Sequence, residues 1–442
     1  MFQARIRPIL AGAAAGMAAL IACRGACAQA ICVVDPEREL MVRDVSVVDN
    51  CERTTWGPCL GNVTGAWTFG HLIAGVAGTN DPVVLSTFVL NWLSNWQHDV
   101  TVNGFTIPQR PNIRNVLIDP WLAASGNTGQ LDMRKAPFRL LAIVNRVDLR
   151  RQPAYGNANA GEARFVYNVL DISNPRSPAP TQFNVIFEYG ISAATCDDIR
   201  AWGQRWHNLG SIPFGESYNV ALQSITDTFT AIGANPGKPN GSALNQLRTN
   251  EIALLGPWEL REFAVSPLSS TGPFAPSPLI ETTVKQTPNH STVLGQDLLG
   301  SQVVADFINQ FRTQILDGTY VVPATFEGGP FLGGATVNRI DFWNGSNSPP
   351  IIDNQARHLF SLNTCNACHG RETNTGFKQI EPRAAGVRAA LSAFLTGETV
   401  ADPIDGTLRS FNDLKRRADD LCHLLNTPCA TLGNEAPSNR VH

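Results

Sequence analysis

Apolar residues recur along this chain with two different periods. In Val83 to Gln97 (VVLSTFVLNWLSNWQ), Leu85, Phe88, Trp92 and Trp96 share one stripe at helical spacing. The Val-rich start of that segment also suits a strand. Ser301 to Leu316 places Val304, Phe307, Ile308, Phe311 and Ile315 on one face and predicts an amphipathic helix. Helical signals also cover Asp197 to His207 and Tyr218 to Ile232. Between these lie runs rich in β-branched and aromatic residues: Phe138 to Arg150, Ala163 to Asp171, Gln182 to Ile191, Trp258 to Val265 and Leu279 to Lys285. Leu40 to Asp49 (LMVRDVSVVD) predicts a further strand. Asn- and Pro-rich connections separate the central runs, which favours antiparallel pairing over βαβ units.

Alternation within the runs sorts their polar residues by face. Arg146, Asp148 and Arg150 share a face of the first central run, Arg164 and Asn168 one of the second, and Asn184 and Glu188 one of the third. Such a face is either a solvated surface with cross-strand charge pairs or a site for an anion or substrate. Five tryptophans, Trp56, Trp67, Trp92, Trp96 and Trp121, fall in residues 31–130. Burial is their expected role, with a stacking platform for a glycan as the alternative. The expected fold class is α+β: a partly antiparallel β central region with helices, followed by a small, mainly helical C-terminal domain. The Gly-, Ser-, Asn- and Pro-containing stretch Trp343 to Pro350 reads as a linker. It divides the chain into 1–30, an export signal; 31–130, an N-terminal module; 131–346, a central β-rich region; and 347–442, the helical domain.

The 442 residues are 43% hydrophobic and 16% charged with a net charge of −3, a globular composition without the basic bias of a nucleic-acid binder. Arg5 and Arg7, then an apolar run to Ala22, have the form of an export signal, too short for a comfortable membrane span. Ala28-Gln29-Ala30 offers a cleavage site, and Leu20-Ile21-Ala22-Cys23 offers lipidation at Cys23. Periplasm or cell envelope is therefore the expected location, soluble or lipid-anchored. Cleavage at Ala30 leaves eight cysteines, as expected where thiols pair oxidatively. The simplest pairings are Cys51–Cys59, Cys422–Cys429 and Cys32–Cys196, among the fifteen that six cysteines allow.

The remaining two cysteines lie in Cys365-Asn366-Ala367-Cys368-His369, a C-x-x-C-H motif. This is the attachment signature of a covalent haem: two thiols bond the porphyrin periphery and the adjacent histidine reaches the iron. The stretch Ala356 to Gly370 (ARHLFSLNTCNACHG) resembles the c-type cytochrome family. The resemblance implies haem c on Cys365 and Cys368, with His369 as proximal iron ligand. It also implies that the helix before the motif packs on a C-terminal helix, for which Leu408 to Leu425 is suited by Phe411, Leu414, Ala418, Leu421 and Leu425 on one face. The chain departs from that family's common pattern because no methionine follows position 133. The sixth iron ligand is then His423 or His358, a group reaching from the N-terminal part such as Met41 or Met133, or an open position. Two other readings of the cysteines are a Cys365–Cys368 disulfide and a metal site with Cys422, His423 and Cys429. Hydrolase, zincin, P-loop and dinucleotide-binding signatures are absent. The expected function is an exported redox protein working with a redox partner protein or a small-molecule substrate. Its rival is a cell-envelope binding or structural protein.

Overall fold

The computed structural model describes residues 1, 32–59, 61–150, 152, 159–267, 276–338, 342–344 and 350–432. The export-signal segment with Cys23, and most of the expected linker, lie outside them. The chain divides after Cys32, and Val33–His442 forms one compact unit.

The fold is α+β, built on an eight-stranded sheet in which every pairing is antiparallel. Its strands are β1 (Met41–Val42), β2 (Phe138–Arg146), β3 (Asn159–Asp171), β4 (Ala179–Ser192), β5 (Leu244–Glu251), β6 (Trp258–Val265), β7 (Leu279–Thr282) and β8 (Ala335–Asn338). Strands β2 to β6 follow one another across the sheet; β1 flanks β2, while β7 and β8 both pair with β6. Gly161 permits the irregular start of β3: its φ is +83°, and a Cβ there would meet the Arg146 carbonyl at 2.1 Å.

One face of the sheet is aromatic. Phe165 and Tyr167 of β3 and Phe183, Phe187 and Tyr189 of β4 are all buried there. They pack under α1 (Phe69–Ala77), α2 (Pro82–Ser94), α3 (Cys196–His207) and α4 (Glu216–Thr230). Phe69 stacks on Phe138 with ring centroids 3.9 Å apart. Trp67, Trp92, Trp96 and Trp121 are fully buried in the same core, which answers the question of the tryptophans in favour of packing.

Several expected elements are shorter than the pattern suggested. Asp44 caps a short helix at Val45–Val48, so the strand expected over residues 40–49 stops at Val42. Beyond Arg146 the chain turns into a single 3-10 turn, Val147–Leu149, so Asp148 and Arg150 leave the strand. The helix expected over 301–316 divides into Gln302–Gln310, here α5, and Arg312–Asp317.

The second face is not solvated. The segment 377–395 crosses it: the Asn184 side-chain amide donates to the Ile380 carbonyl and that of Asn250 to the Phe377 carbonyl. Arg383 fixes the same segment by donating to both Asp49 carboxylate oxygens and the Leu140 carbonyl. Among the described residues no single helix is long and apolar enough to cross a membrane.

The disulfides are Cys51–Cys59, as expected, and Cys196–Cys429; Cys32 and Cys422 are also disulfide-bonded. The Cys422–Cys429 and Cys32–Cys196 pairings are therefore incorrect. Cys429 closes instead onto the first residue of α3, 233 positions earlier in the chain. These bonds also exclude a metal site of Cys422, His423 and Cys429, whose thiolates they consume.

Candidate functional site

The C-x-x-C-H turn is positioned from three directions. Asp353 caps the preceding helix α6 (Asn354–Leu362) by accepting from the Gln355 and Ala356 amides. The turn itself, α7 (Cys365–Cys368), begins where Trp343 Nε1 donates to Thr364 Oγ1 at 2.7 Å and the Cys365 amide donates to Thr287 Oγ1 at 3.1 Å. From β8, the Asn338 amide donates to the carbonyls of Asn366 and His369. The motif is thus pinned against the end of the sheet.

Cys365 and Cys368 are buried thiols. Burial first, offset in part by Arg248, pushes the Cys365 thiol up to about 11. That is the opposite of the lowered value a nucleophilic, thioredoxin-like cysteine needs. The His369 ring stacks on Trp258 with centroids 5.3 Å apart. Its Nδ1 lies 2.7 Å from the Phe377 carbonyl, which can only accept, so Nδ1 carries the proton and Nε2 the lone pair. Burial drives its basicity down to about 4, with Lys378 and Arg248 adding to the effect, so the ring is neutral at pH 7. A neutral imidazole whose Nδ1 is tied to a backbone carbonyl is the usual form of a metal-ligating histidine.

Cys368 and His369 line a crevice between the second sheet face and the covering segment. It is narrow, with a cavity volume of about 90 Å³. The sheet contributes Arg146, Arg164, Asn184, Glu188, Arg248 and Asn250. The polar face read from strand alternation is therefore the floor of a buried site, not a solvated surface. Arg164 and Arg248 lie 3.1 and 3.3 Å from Glu188. Burial nonetheless raises the Glu188 carboxyl, and its neighbours Glu162 and Glu262 add to the rise. Arg248 and Asn250 were missed at the sequence level. Strand β5 (LNQLRTNE) has too few apolar residues to stand out, although its Leu244 and Leu247 are buried.

The proposed sixth ligands are dispersed. His358 is buried on α6, where its Nδ1 meets a Glu372 carboxylate oxygen, and it does not line the crevice. With Glu372 and Asp402 it forms a compact buried cluster of metal-ligating type. Arg357 already bonds both carboxylates, at 2.7 and 2.9 Å, and so occupies the place of a cation. His423 is exposed on the C-terminal helix α8 (Asp413–Asn426), 3.1 Å from Thr427 Oγ1. Met133 belongs to a short turn packed against the helical core. Met41 does line the crevice, but from β1. His369 stacks on β6, five strand steps away across the sheet.

The expected cytochrome-like packing is absent. Helix α6 sets Ala356 and Phe360 into a cluster with Phe307 of α5, Tyr320 and Trp343. Helix α8 lies instead on α3, where Gly203 admits the side chains of Leu421 and Leu424, and the Cys196–Cys429 disulfide holds it there. The segment expected to be helical from Leu408 opens as a strand, Leu408–Phe411, paired with Glu398–Ala401. Neither a family model, nor a curated protein, nor a solved structure matches the chain, and with the C-terminal helix bound to the central region the resemblance to the c-type cytochromes does not hold.

Proposed function

We propose that this is an exported redox protein that carries one covalent haem in the crevice, in a fold unlike that of a c-type cytochrome. The observation that carries the reading is His369: a neutral ring at the crevice wall, its Nδ1 proton committed to the Phe377 carbonyl. The donor set agrees. Cys365 and Cys368 would supply the thioether bonds and His369 the proximal iron ligand. Within the same turn, both polar atoms of the Asn366 side chain are buried without a hydrogen-bond partner among the described residues. A buried polar group of that kind points to a bound group nearby. Cys365 lies outside the crevice lining and the space is narrow, so forming both thioethers requires the turn and the covering segment to shift.

Bound there, haem would supply one-electron transfer, or redox chemistry on a small ligand if the sixth position is open. The chain's own part is to hold the iron through His369, to exclude water with the covering segment, and to surround the group with Arg164, Arg248 and Glu188. Disulfides among the described cysteines support an oxidising compartment, periplasm or cell envelope. The counterpart would be a redox partner protein or a small-molecule substrate.

The test is an absorption spectrum and pyridine haemochrome of the protein made in a host with haem-attachment machinery, beside Cys365→Ser/Cys368→Ser. A covalent haem spectrum that the double substitution abolishes is the expected result. A colourless protein with a Cys365–Cys368 disulfide in its mass spectrum would overturn the reading and favour an envelope binding protein.

A further inference from the structure

Five charged residues meet at the rim of the aromatic face, where β6 pairs with β5 and β7. Glu251 of β5 and Glu259 of β6 stand directly opposite each other, a placement at which like charges repel. Arg110 bridges them, bonded to Glu251 and 3.5 Å from Glu259. Arg261 of β6 lies 2.7 Å from Glu259 and 3.4 Å from Glu281 of β7. All five are almost completely buried, so three carboxyls share two guanidiniums. The shortfall falls on Glu281. Glu251 has a second donor in the Leu254 amide at 2.9 Å, and Glu259 is within reach of both arginines. Glu281 Oε1, by contrast, is buried without a hydrogen-bond donor among the described residues.

The other elements packed on β7 bring no counter-charge. Helix α2 and the hairpin of residues 100–107 carry no titratable side chain. His98 and Asp99, just before the hairpin, are exposed. Glu262 of β6 pairs with Arg248 and Lys285 on the opposite face of the sheet. A carboxyl so placed keeps its proton, because its charged form is neither hydrated nor paired. Burial first, opposed by Arg261 and helped by Glu259, pushes Glu281 up to about 8. Its partner Arg261 is also a clamp. The guanidinium lies over the Trp96 ring, 5.3 Å from its centre. Nη1 donates to the Asn95 carbonyl at 3.1 Å and Nη2 to the Pro108 carbonyl at 2.8 Å, so Arg261 holds both ends of residues 95–108 to the sheet. A charged Glu281 would compete with Asn95 for Nη1 and would need water, which reaches it when the segment lifts.

We propose that Glu281 is a proton-operated latch: its neutral carboxyl lets Arg261 hold residues 95–108 closed against the sheet, and loss of that proton opens the segment. Once the segment is open, Glu281 is hydrated and its basicity returns to the ordinary glutamate value, about 4.5. Between that value and about 8 the closed form holds one proton more than the open form. Opening therefore becomes easier as the pH rises through this window, by up to about tenfold per pH unit. Below the window the latch is fully effective, and above it the effect levels off. The latch lies on the face of the sheet away from the crevice and does not depend on the haem reading.

The test is amide exchange of the full-length protein, read by mass spectrometry from about pH 5 to 9 and corrected for the intrinsic rate at each pH. Protection of residues 95–108 is expected to fall on the order of a hundredfold between the ends of the window and then to level off. Glu281→Gln, uncharged and of the same shape, is expected to give a flat profile at high protection. Glu281→Asp keeps a titrating acid and is expected to keep the slope. A wild-type profile without slope overturns the latch, as does an equal slope in Glu281→Gln. Should Glu281→Gln not fold, the wild-type and Glu281→Asp profiles decide: a slope in both supports the latch, and a flat profile in the wild type overturns it.

Discussion

The two faces of the central sheet are built from the same strands and serve opposite ends. In β4, Phe183, Val185, Phe187 and Tyr189 point into an aromatic core under four helices, while Asn184, Ile186 and Glu188 between them line the crevice. Both faces are buried. One is satisfied by shape and aromatic contact, the other by ion pairs and by hydrogen bonds to a covering segment that arrives nearly two hundred residues later. Burial therefore does not distinguish scaffold from site in this protein; the kind of partner does. A packed aromatic face leaves no space for a ligand, whereas the face of paired charges under its covering segment keeps a narrow crevice.

Substitutions at adjacent positions of one strand give the sharpest test. Phe187→Ala removes a ring from the packed face and is expected to cost about 3–5 kcal/mol in denaturant unfolding. Its neighbour Glu188→Gln takes a buried counter-charge from Arg164 and Arg248 but leaves no cavity, and is expected to cost about 1–3 kcal/mol. Equal losses at the two positions would mean that the crevice face is as much a part of the stability core as the aromatic one.

The next largest effect concerns the tether of the crevice's C-terminal wall. Cys196→Ser/Cys429→Ser opens a link across 233 residues and is expected to cost about 2–4 kcal/mol. Amide exchange should rise first in Asp413–Asn426, the helix that carries Arg417. Uniform acceleration through the aromatic core would instead show that the helix is not a separately held wall.

His369 predicts a smaller effect, confined in pH. Its folded basicity is depressed to about 4, so between pH 6.5 and 4 the unfolded chain binds the extra proton. Stability is then fully present above pH 6.5 and falls as the pH drops through that window. The loss should be on the order of 2 kcal/mol, the full shift being discounted because the ring keeps some exposure. Denaturant midpoints of the haem-free Cys365→Ser/Cys368→Ser protein, measured across the window, should lose this slope when His369→Phe is added; an unchanged slope would assign it to other groups. Smallest is Asn184→Ala, expected to cost about 1 kcal/mol and to raise exchange locally in residues 377–382. No change there would mean that Asn250 and Arg383 hold the cover without it.

Much of the scaffold was legible because its signals are local. Helix α2 follows from the spacing of Leu85, Phe88, Trp92 and Trp96, and strands β3 and β4 from runs of alternating bulky residues. Signals failed where a local feature broke the period. The Asp44 cap ended one expected strand, and the turn at Val147 moved Asp148 off the sheet to pair with Arg146 and Arg416. Strand Leu408–Phe411 passed for the first turn of a helix because its apolar residues also fit helical spacing. The C-x-x-C-H motif was visible as a string, but its string does not say against what it packs.

By itself, then, the order of residues determined the α+β class, the antiparallel runs, the polar alternation of Arg164, Asn184 and Glu188, and the presence of two thiols beside a histidine. Each depends on neighbours a few positions apart, within reach of backbone periodicity. Tertiary structure alone decided that the polar face is covered, that Arg146 and Arg417 meet in one crevice, and that Cys429 closes on Cys196. It also decided that the C-terminal helix packs on α3 and not on the motif helix. Those outcomes depend on which distant surfaces bury one another, and apolar attraction carries no address: Leu421 and Leu424 fit the groove at Gly203 only because the fold presents it.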